Sequence, residues 1–151
     1  MTLIVVTDNG VYVDRQATAG DLVRETSKYV KTDKGVLIGS GLLTDINVLM
    51  DLVITGNGTD IKKPDSMLNS KCALVQIHNG KIILWESRPR YFRPVTLHTG
   101  LPYSIGSGRY TFELFYKSGN VLDAIDKTIK YNSSCGLGVD FIGLDGEITR
   151  C

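Results

Sequence analysis

Thr2 is a residue that could act as a nucleophile without help from another side chain. An initiator methionine is removed readily when the residue after it is small, so removal of Met1 would give Thr2 a free α-amine. Such an amine, with an ordinary pKa of about 8, can accept the hydroxyl proton while Oγ attacks a carbonyl carbon. The chemistry predicted for this residue is amide hydrolysis, and it requires no histidine.

A nucleophile of this kind needs a cation near its amine, a carboxylate that holds the cation, and a backbone N–H for the oxyanion. Asp14 is expected across a hairpin from Thr2, because a turn near position 8 pairs residues whose numbers sum to about 16 or 17. Lys28 is expected in the middle of the third strand, either as this cation or as a solvated strand lysine. Gly41 is expected at a strand-to-helix junction, where helix amides point outward, although a purely steric glycine fits there equally well.

Other sites of chemistry are not indicated. The sequence contains no GxGxxG, P-loop or HExxH motif and no GxSxG before a helix. His78 and His98 lie in strand patterns and are expected to be structural. The three cysteines at positions 72, 135 and 151 are too few and too scattered for a disulfide framework or a structural metal site. We therefore expect no cofactor, no metal and a reducing cytosolic environment.

The elements that must position these residues follow from turn signals and hydrophobic periodicity. The patterns predict strands, helices and one loop, with these bounds: a hairpin over 2–17, strands over 23–31 and 35–39, a helix over 41–55, a mobile loop over 56–70, a meander over 72–78, 81–87 and 93–98, helices over 108–117 and 120–131, and a hairpin over 139–149. The first apolar run, at residues 3–6, stops at a turn and is expected to be a strand rather than a signal peptide.

The distribution of apolar residues on two of the predicted helices indicates which of their faces are packed. The apolar residues of 41–55 cover an arc of roughly 200°, wider than packing on one sheet requires, so this helix is expected to contact a neighbouring helix or subunit as well. The helix over 120–131 is amphipathic, with Val121, Leu122, Ile125 and Ile129 predicted to face inward.

The element order of strands, helix, strands, helices, strands does not alternate as a parallel βαβ fold would. It favours an α+β class with a four-layer αββα sandwich of two antiparallel sheets flanked by helices. The 151 residues, 42% hydrophobic and 22% charged, fit a single folded domain over 1–151. A formal charge of +1 offers no overall field for nucleic acid or a membrane surface, so neither is expected as a partner.

Five segments, taken in chain order, match a known pattern: Thr2-Leu3-Ile4-Val5, Asp14-Arg15-Gln16-Ala17-Thr18-Ala19-Gly20, Ser27-Lys28, Ile38-Gly39-Ser40-Gly41-Leu42-Leu43-Thr44-Asp45 and Ile105-Gly106-Ser107-Gly108. Together with the element order, they resemble the proteasome-type branch of the N-terminal nucleophile (Ntn) hydrolases. The resemblance is greatest to short bacterial and phage-borne relatives of the bacterial proteasome-like peptidase.

The resemblance implies a role for each candidate residue. Thr2 would be the nucleophile and its amine the base, Lys28 the cation, Asp14 the partner of that cation, Gly41 the oxyanion donor and Ser107 a polar support near the amine.

Near the C-terminus the sequence departs from the family pattern. The family has an aspartate followed by a serine or threonine that hold the amine, and the best match here is Asn132 followed by Cys135. Asparagine can accept a hydrogen bond but supplies no charge.

The resemblance predicts a threonine-type peptidase in a closed homo-oligomer, a ring or stacked rings, in the cytoplasm, or in the host cytoplasm if the chain is phage-encoded. Its substrates would be peptides or unfolded proteins, with an unfoldase as a candidate partner. The alternative is a catalytically silent proteasome-like scaffold that works by assembly or partner binding. Asn132, and a Met1 that would cap Thr2 if it were retained, favour that alternative.

A third hypothesis is a binding module that uses the 56–70 loop or the stretch Arg88-Pro89-Arg90-Tyr91-Phe92-Arg93. Three arginines beside two aromatic rings could contact single-stranded nucleic acid. A solvated loop between two strands is the simpler expectation for this stretch.

Overall fold

The computed structural model describes residues 2–19, 22–25, 28–117, 119–132 and 137–151, with the backbone alone for 18, 19 and 22–25. Its elements in chain order are β1 (Ile4–Thr7), β2 (Gly10–Asp14), β3 (Gln16–Ala19), β4 (Leu22–Glu25), β5 (Tyr29–Thr32), β6 (Gly35–Ser40), α1 (Leu43–Thr55), β7 (Ile61–Lys62), a 3-10 turn (Asp65–Met67), β8 (Ala73–His78), β9 (Lys81–Ser87), β10 (Tyr91–Thr96), β11 (Tyr103–Ile105), α2 (Arg109–Phe115), α3 (Val121–Tyr131), β12 (Val139–Gly143) and β13 (Ile148–Arg150).

The chain forms two compact units. The first unit comprises residues 1–28, 100–143 and 147–151, and the second comprises 29–99 and 144–146. Every strand pair among the described residues is antiparallel. Together with the three α-helices of the described part of the chain, this confirms the predicted α+β class.

The first unit is built on a five-stranded sheet in the order β11-β1-β2-β12-β13, beside the two-stranded pair β3-β4. The first hairpin pairs Ile4 with Val13, so paired residue numbers sum to 17, as predicted. Helices α2 and α3 cover one sheet face, and their contact forms an apolar core of Leu3, Val5, Phe112, Ala124, Ile125 and Val139. Alternate residues of β1 and β2 are buried on the opposite face, so both faces of this sheet are apolar.

The second unit is built on a six-stranded sheet in the order β5-β6-β8-β9-β10-β7. Helix α1 packs on it through Ile46, Leu49, Met50 and Val53, which join Leu37, Leu74, Trp85 and Phe92 in a second apolar core. Leu42 and Leu43, at the start of this helix, are 67% and 69% exposed. The wide apolar arc of the sequence is therefore only partly used within the chain.

Three predictions about elements are wrong. The 23–31 strand is two strands in two different sheets, because β4 pairs with β3 whereas β5 pairs with β6. The strand β11, which pairs with β1, was not predicted. Leu122 of α3 is 43% exposed rather than buried, and Ala124 and Thr128 are buried in this helix instead.

The 56–70 segment also differs from the expected mobile loop, since it is anchored to the second unit. Ile61 pairs with Phe92 in the sheet, and Met67 is buried in the core. Half of the basic stretch that follows β9, residues 91–93, belongs to strand β10, with Phe92 fully buried and Arg88 paired with Glu86. Phe92 is therefore not free to stack on nucleic acid, whereas Tyr91 is 36% exposed.

Gln76 provides a test of how this unit is held together. Its side-chain oxygen accepts a hydrogen bond from the indole of Trp85 at 2.9 Å, and its amide donates to the Lys34 carbonyl at 2.7 Å. Replacing Gln76 by leucine should lower the free energy of unfolding by about 1–3 kcal/mol, because the buried indole N–H loses its acceptor. Urea denaturation measures the loss. Adding Trp85→Phe, which removes that N–H, should cost less in the leucine background than alone; purely additive losses would contradict the assignment.

Candidate functional site

Asp14 lies at the centre of the candidate site, at the end of β2. Its Oδ1 accepts hydrogen bonds from the Leu3 backbone N–H at 2.9 Å and from the Lys28 ammonium at 2.9 Å. Its Oδ2 accepts a hydrogen bond from the Gln16 backbone N–H at 3.3 Å, and the carboxylate side chain is fully buried. The hairpin register places this aspartate opposite Leu3, so its carboxylate holds Lys28 beside the peptide that follows Thr2.

Thr2 is buried at the start of the hairpin and is held through its backbone. Its nitrogen donates to Ser107 Oγ at 3.1 Å, while its carbonyl oxygen accepts hydrogen bonds from Ser107 Oγ at 3.4 Å and from the Gly108 N–H at 3.3 Å. Pairing of β11 with β1 brings this serine to the N-terminal residue. The structure therefore brings Thr2, Asp14, Lys28 and Ser107 together within the first unit.

Lys28 is not in the middle of a strand, as the sequence predicted. It lies outside any strand, between β4 and β5, where the chain leaves one sheet and enters another. Its side chain is 11% exposed and paired with Asp14, so the alternative of a solvated strand lysine is wrong. Residues 23–31 were predicted as one continuous strand, and their residue types did not indicate that a strand ends before Lys28.

Asn132 caps the C-terminal end of α3. Its side-chain amide donates to the Ser107 carbonyl at 3.5 Å and to Thr111 Oγ1 at 3.3 Å. These contacts place it behind Ser107, the residue that accepts the hydrogen bond from the Thr2 nitrogen. Cys135, its predicted companion, lies outside the described residues.

Gly41 lies in the second unit, between β6 and α1, with a φ of +126°. A Cβ at this position would lie 2.8 Å from Cys72 Cβ and 2.9 Å from Cys72 Cα. Both the backbone conformation and this close approach require glycine, as the steric hypothesis expected. Its role as an oxyanion donor stays a prediction.

Sequence reasoning missed two groups near the hairpin. Thr111 contacts Asn132 but carries no recognisable motif. Arg15, next to Asp14, forms an ion pair of 2.6 Å with the buried Asp140, and its backbone N–H donates to Gly138. An aspartate within the apolar strand pattern of 139–144 was the signal that could have revealed this pair.

Both histidines belong to the second unit: His78 ends β8 and is half-buried, and His98 is exposed, with its ring near the Thr96 carbonyl. Within the described part of the chain, no three His, Cys, Asp or Glu side chains are grouped so that they could hold a metal ion. Nor does any described helix have the length and apolar character needed to cross a membrane.

The two described cysteines differ in accessibility. Burial raises the pKa of the Cys72 thiol, with a smaller contribution in the same direction from Asp45. The pKa of the Cys151 thiol is raised as well, by partial burial and by Asp140 and Asp126. Cys151 is nevertheless exposed, whereas Cys72 is 2% exposed.

These positions predict an order of alkylation. Iodoacetamide should modify Cys151 before Cys72, because access to the thiol is required as well as ionisation. At pH 8, Cys151 should react more slowly than free cysteine, and the difference should shrink as pH rises through the raised pKa, since more thiolate then forms. Peptide mass spectrometry of the two sites from pH 7 to 10 gives the rates. Faster reaction at Cys72 would contradict the burial.

Comparison with known proteins adds a fold-level result. No family model matches the sequence, and no curated protein matches it. The computed structure is similar to the crystal structure of eukaryotic HslV from Trypanosoma brucei, with a TM-score of 0.63, 14% identity and complete coverage of both chains. The fold is of the proteasome type.

Two further structures have the proteasome-type fold in common with this chain. BPH from Thiobacillus denitrificans, solved in complex with epoxomicin, matches with a TM-score of 0.58 and 11% identity over 99% of this chain and 98% of BPH. Anbu, an ancestral beta-subunit from Yersinia bercovieri, matches with a TM-score of 0.51 and 14% identity over 99% of this chain and 86% of Anbu. The resemblance expected from the sequence is thus confirmed for the fold.

Proposed function

We propose that this chain is a threonine-type peptidase whose nucleophile is Thr2, exposed by removal of Met1. The observation that carries the proposal is the shared oxygen of Asp14, which accepts both the Lys28 ammonium and the Leu3 N–H next to Thr2. Burying a carboxylate and an ammonium together is costly unless their geometry is good. The pair shares its carboxylate oxygen with the Leu3 N–H, which supports Lys28 as the cation that acts on Thr2.

The charge of Lys28 would act on the amine of Thr2. A neighbouring cation disfavours the protonated form of an amine, so the amine stays available as a base near neutral pH. The amine would take the proton of Thr2 Oγ as that oxygen bonds to the substrate carbonyl carbon, and would give the proton to the departing amine. Water then hydrolyses the resulting ester, with the same amine as the base, and regenerates the threonine.

One side-chain hydroxyl and one backbone N–H complete the proposed site. Ser107 Oγ would keep its contact with the Thr2 nitrogen after Met1 is lost, and so would orient the amine. The N–H of Gly41 would donate to the oxyanion that forms when Oγ attacks.

The proposal extends to assembly. We propose that residues 1–151 act as one domain in a closed homo-oligomer, in the cytoplasm, with peptides or unfolded proteins as substrates and an unfoldase as partner. The similarity to HslV supports a ring, and the exposed leucines at the start of α1 provide apolar surface that a neighbouring subunit could cover.

A catalytically silent scaffold is the second candidate. The observation that favours it is Asn132, a neutral amide behind Ser107 where a carboxylate would help to hold a charged amine. In that case Met1 would stay in place and the same fold would serve assembly alone.

Intact mass after treatment with epoxomicin separates the two functions. An epoxyketone has electrophilic carbons that an adjacent hydroxyl and free amine can both attack, so it reports an unblocked N-terminal threonine. Chain purified from its native source should lack Met1 and gain the mass of one inhibitor, and Thr2→Ala should gain none. Retention of Met1 in all molecules would favour the scaffold, and loss of Met1 without an adduct would refute Thr2 as the nucleophile.

A further inference from the structure

Lys63 is a buried cation outside the candidate site. It is 3% exposed, and its ammonium donates to Ser87 Oγ at 2.6 Å and to the Ser70 carbonyl at 3.1 Å. The ammonium also lies 4.9 Å from the centre of the Phe92 ring. Among the described residues no carboxylate forms an ion pair with it. A buried ammonium held by neutral oxygens is costly, so a structural reason for its position is expected.

The contacts of Lys63 converge on Ser70. The carbonyl oxygen of this residue accepts hydrogen bonds from the ammonium and from Ser87 Oγ, the latter at 2.8 Å. The hydroxyl of Ser70 in turn accepts the backbone N–H of Cys72 at 3.3 Å. Two donors on the carbonyl and one acceptor contact on the hydroxyl thus fix the segment that enters β8.

Cys72 packs against Gly41, so the position of Cys72 restricts the position of the Gly41 backbone. The two residues are in such close contact that a Cβ on Gly41 would lie within 3 Å of Cys72 Cα and Cβ. The strand residues that adjoin them, Ser40 before Gly41 and Ala73 after Cys72, are paired in the sheet. Because this close packing leaves little space between the two residues, a movement of Cys72 should displace the peptide at Gly41.

We propose that Lys63 is a positioning residue that fixes the backbone amide of Gly41 through Ser70 and Cys72. The importance of this position for hydrolysis rests on the proposed function, in which the Gly41 amide binds the oxyanion. A displacement of about 1 Å in such a donor can lower the rate by about a hundredfold. The buried charge of Lys63 thereby fixes the geometry of the proposed oxyanion donor, and its main effect is not on the stability of the 56–70 segment.

Lys63→Met, which keeps the length of the side chain and removes the ammonium, tests this inference. Its matched control is Lys62→Met, because Lys62 is exposed on the neighbouring position of β7. The first readout is the amide resonance of Gly41 in [15N]glycine-labelled protein. The second is kcat and KM for a fluorogenic peptide. Lys63→Met should shift the Gly41 resonance and lower kcat by about tenfold or more with KM nearly unchanged, whereas Lys62→Met should leave all of these unchanged.

Ser87→Ala is the second variant in case Lys63→Met does not fold, since it removes one Lys63 acceptor with little loss of volume. It should shift the same Gly41 resonance. An unchanged Gly41 amide in both variants would overturn the inference, whatever the activity. A displaced amide with unchanged kcat would support the positioning chain and refute Gly41 as the oxyanion donor, so failure of the proposed function is recognisable separately.

Discussion

Replacing Thr2 by alanine should reduce peptide hydrolysis by about a thousandfold or more, because the nucleophilic oxygen is lost. The fold should be unaffected. The hydrogen bonds of Thr2 to Ser107 and Gly108 use its backbone nitrogen and carbonyl, which alanine retains. We therefore expect a folded protein whose free energy of unfolding is lower by about 1 kcal/mol, because a buried methyl and hydroxyl are removed, and the same oligomeric state by light scattering.

Two matched variants make this expectation specific. Thr2→Ser keeps a hydroxyl and a small second residue, so it should lose Met1 and retain measurable hydrolysis. Thr149→Ala removes a threonine hydroxyl at an exposed position of β13 and should be as active as the parent. Hydrolysis of a fluorogenic peptide panel and intact mass, measured on the same samples, give both readouts. Full activity in Thr2→Ala would refute the mechanism.

The parts of this fold that were predictable from the sequence depend on local signals. The first hairpin could be predicted with its register because a two-residue turn, Asp8-Asn9, separates two short apolar strands, and this register places Asp14 opposite Leu3. Helix α1 was also predictable, because its apolar residues recur with a helical period and it begins soon after Gly41. The sequence alone therefore predicted Asp14 near Thr2 and Gly41 at the start of a helix.

The parts that were not predictable depend on contacts between residues distant in sequence. The residue types near Lys28 do not indicate that one strand ends there and another begins. The two strands are distinguished by their partners, since β4 pairs with β3 and β5 pairs with β6. The 56–70 segment was expected to be mobile from its polar composition, yet two isolated residues, Met67 and Lys63, anchor it. The contact between Gly41 and Cys72 likewise has no sequence signature, since the glycine and the residue that requires it are 31 positions apart.

Replacing Lys28 by methionine should lower hydrolysis by about a hundredfold or more, because the Thr2 amine would lose the cation that keeps it unprotonated. Stability should fall as well, by about 3 kcal/mol, since the buried Asp14 carboxylate would lose its ion pair with the Lys28 ammonium. Lys31→Met is the matched control, because Lys31 is an exposed lysine of β5. It should change neither quantity.

The two losses can be separated with a second substitution. Asp14→Asn removes the buried carboxylate charge that has lost its ammonium in Lys28→Met, and its side-chain oxygen can still accept the Leu3 N–H. The double variant should therefore be more stable than Lys28→Met alone, while hydrolysis should remain as low, because neither change restores a cation beside Thr2. Urea denaturation and peptide hydrolysis of the four proteins complete this cycle. If activity returned together with stability, Lys28 would be a structural partner of Asp14 and would have no part in tuning the amine.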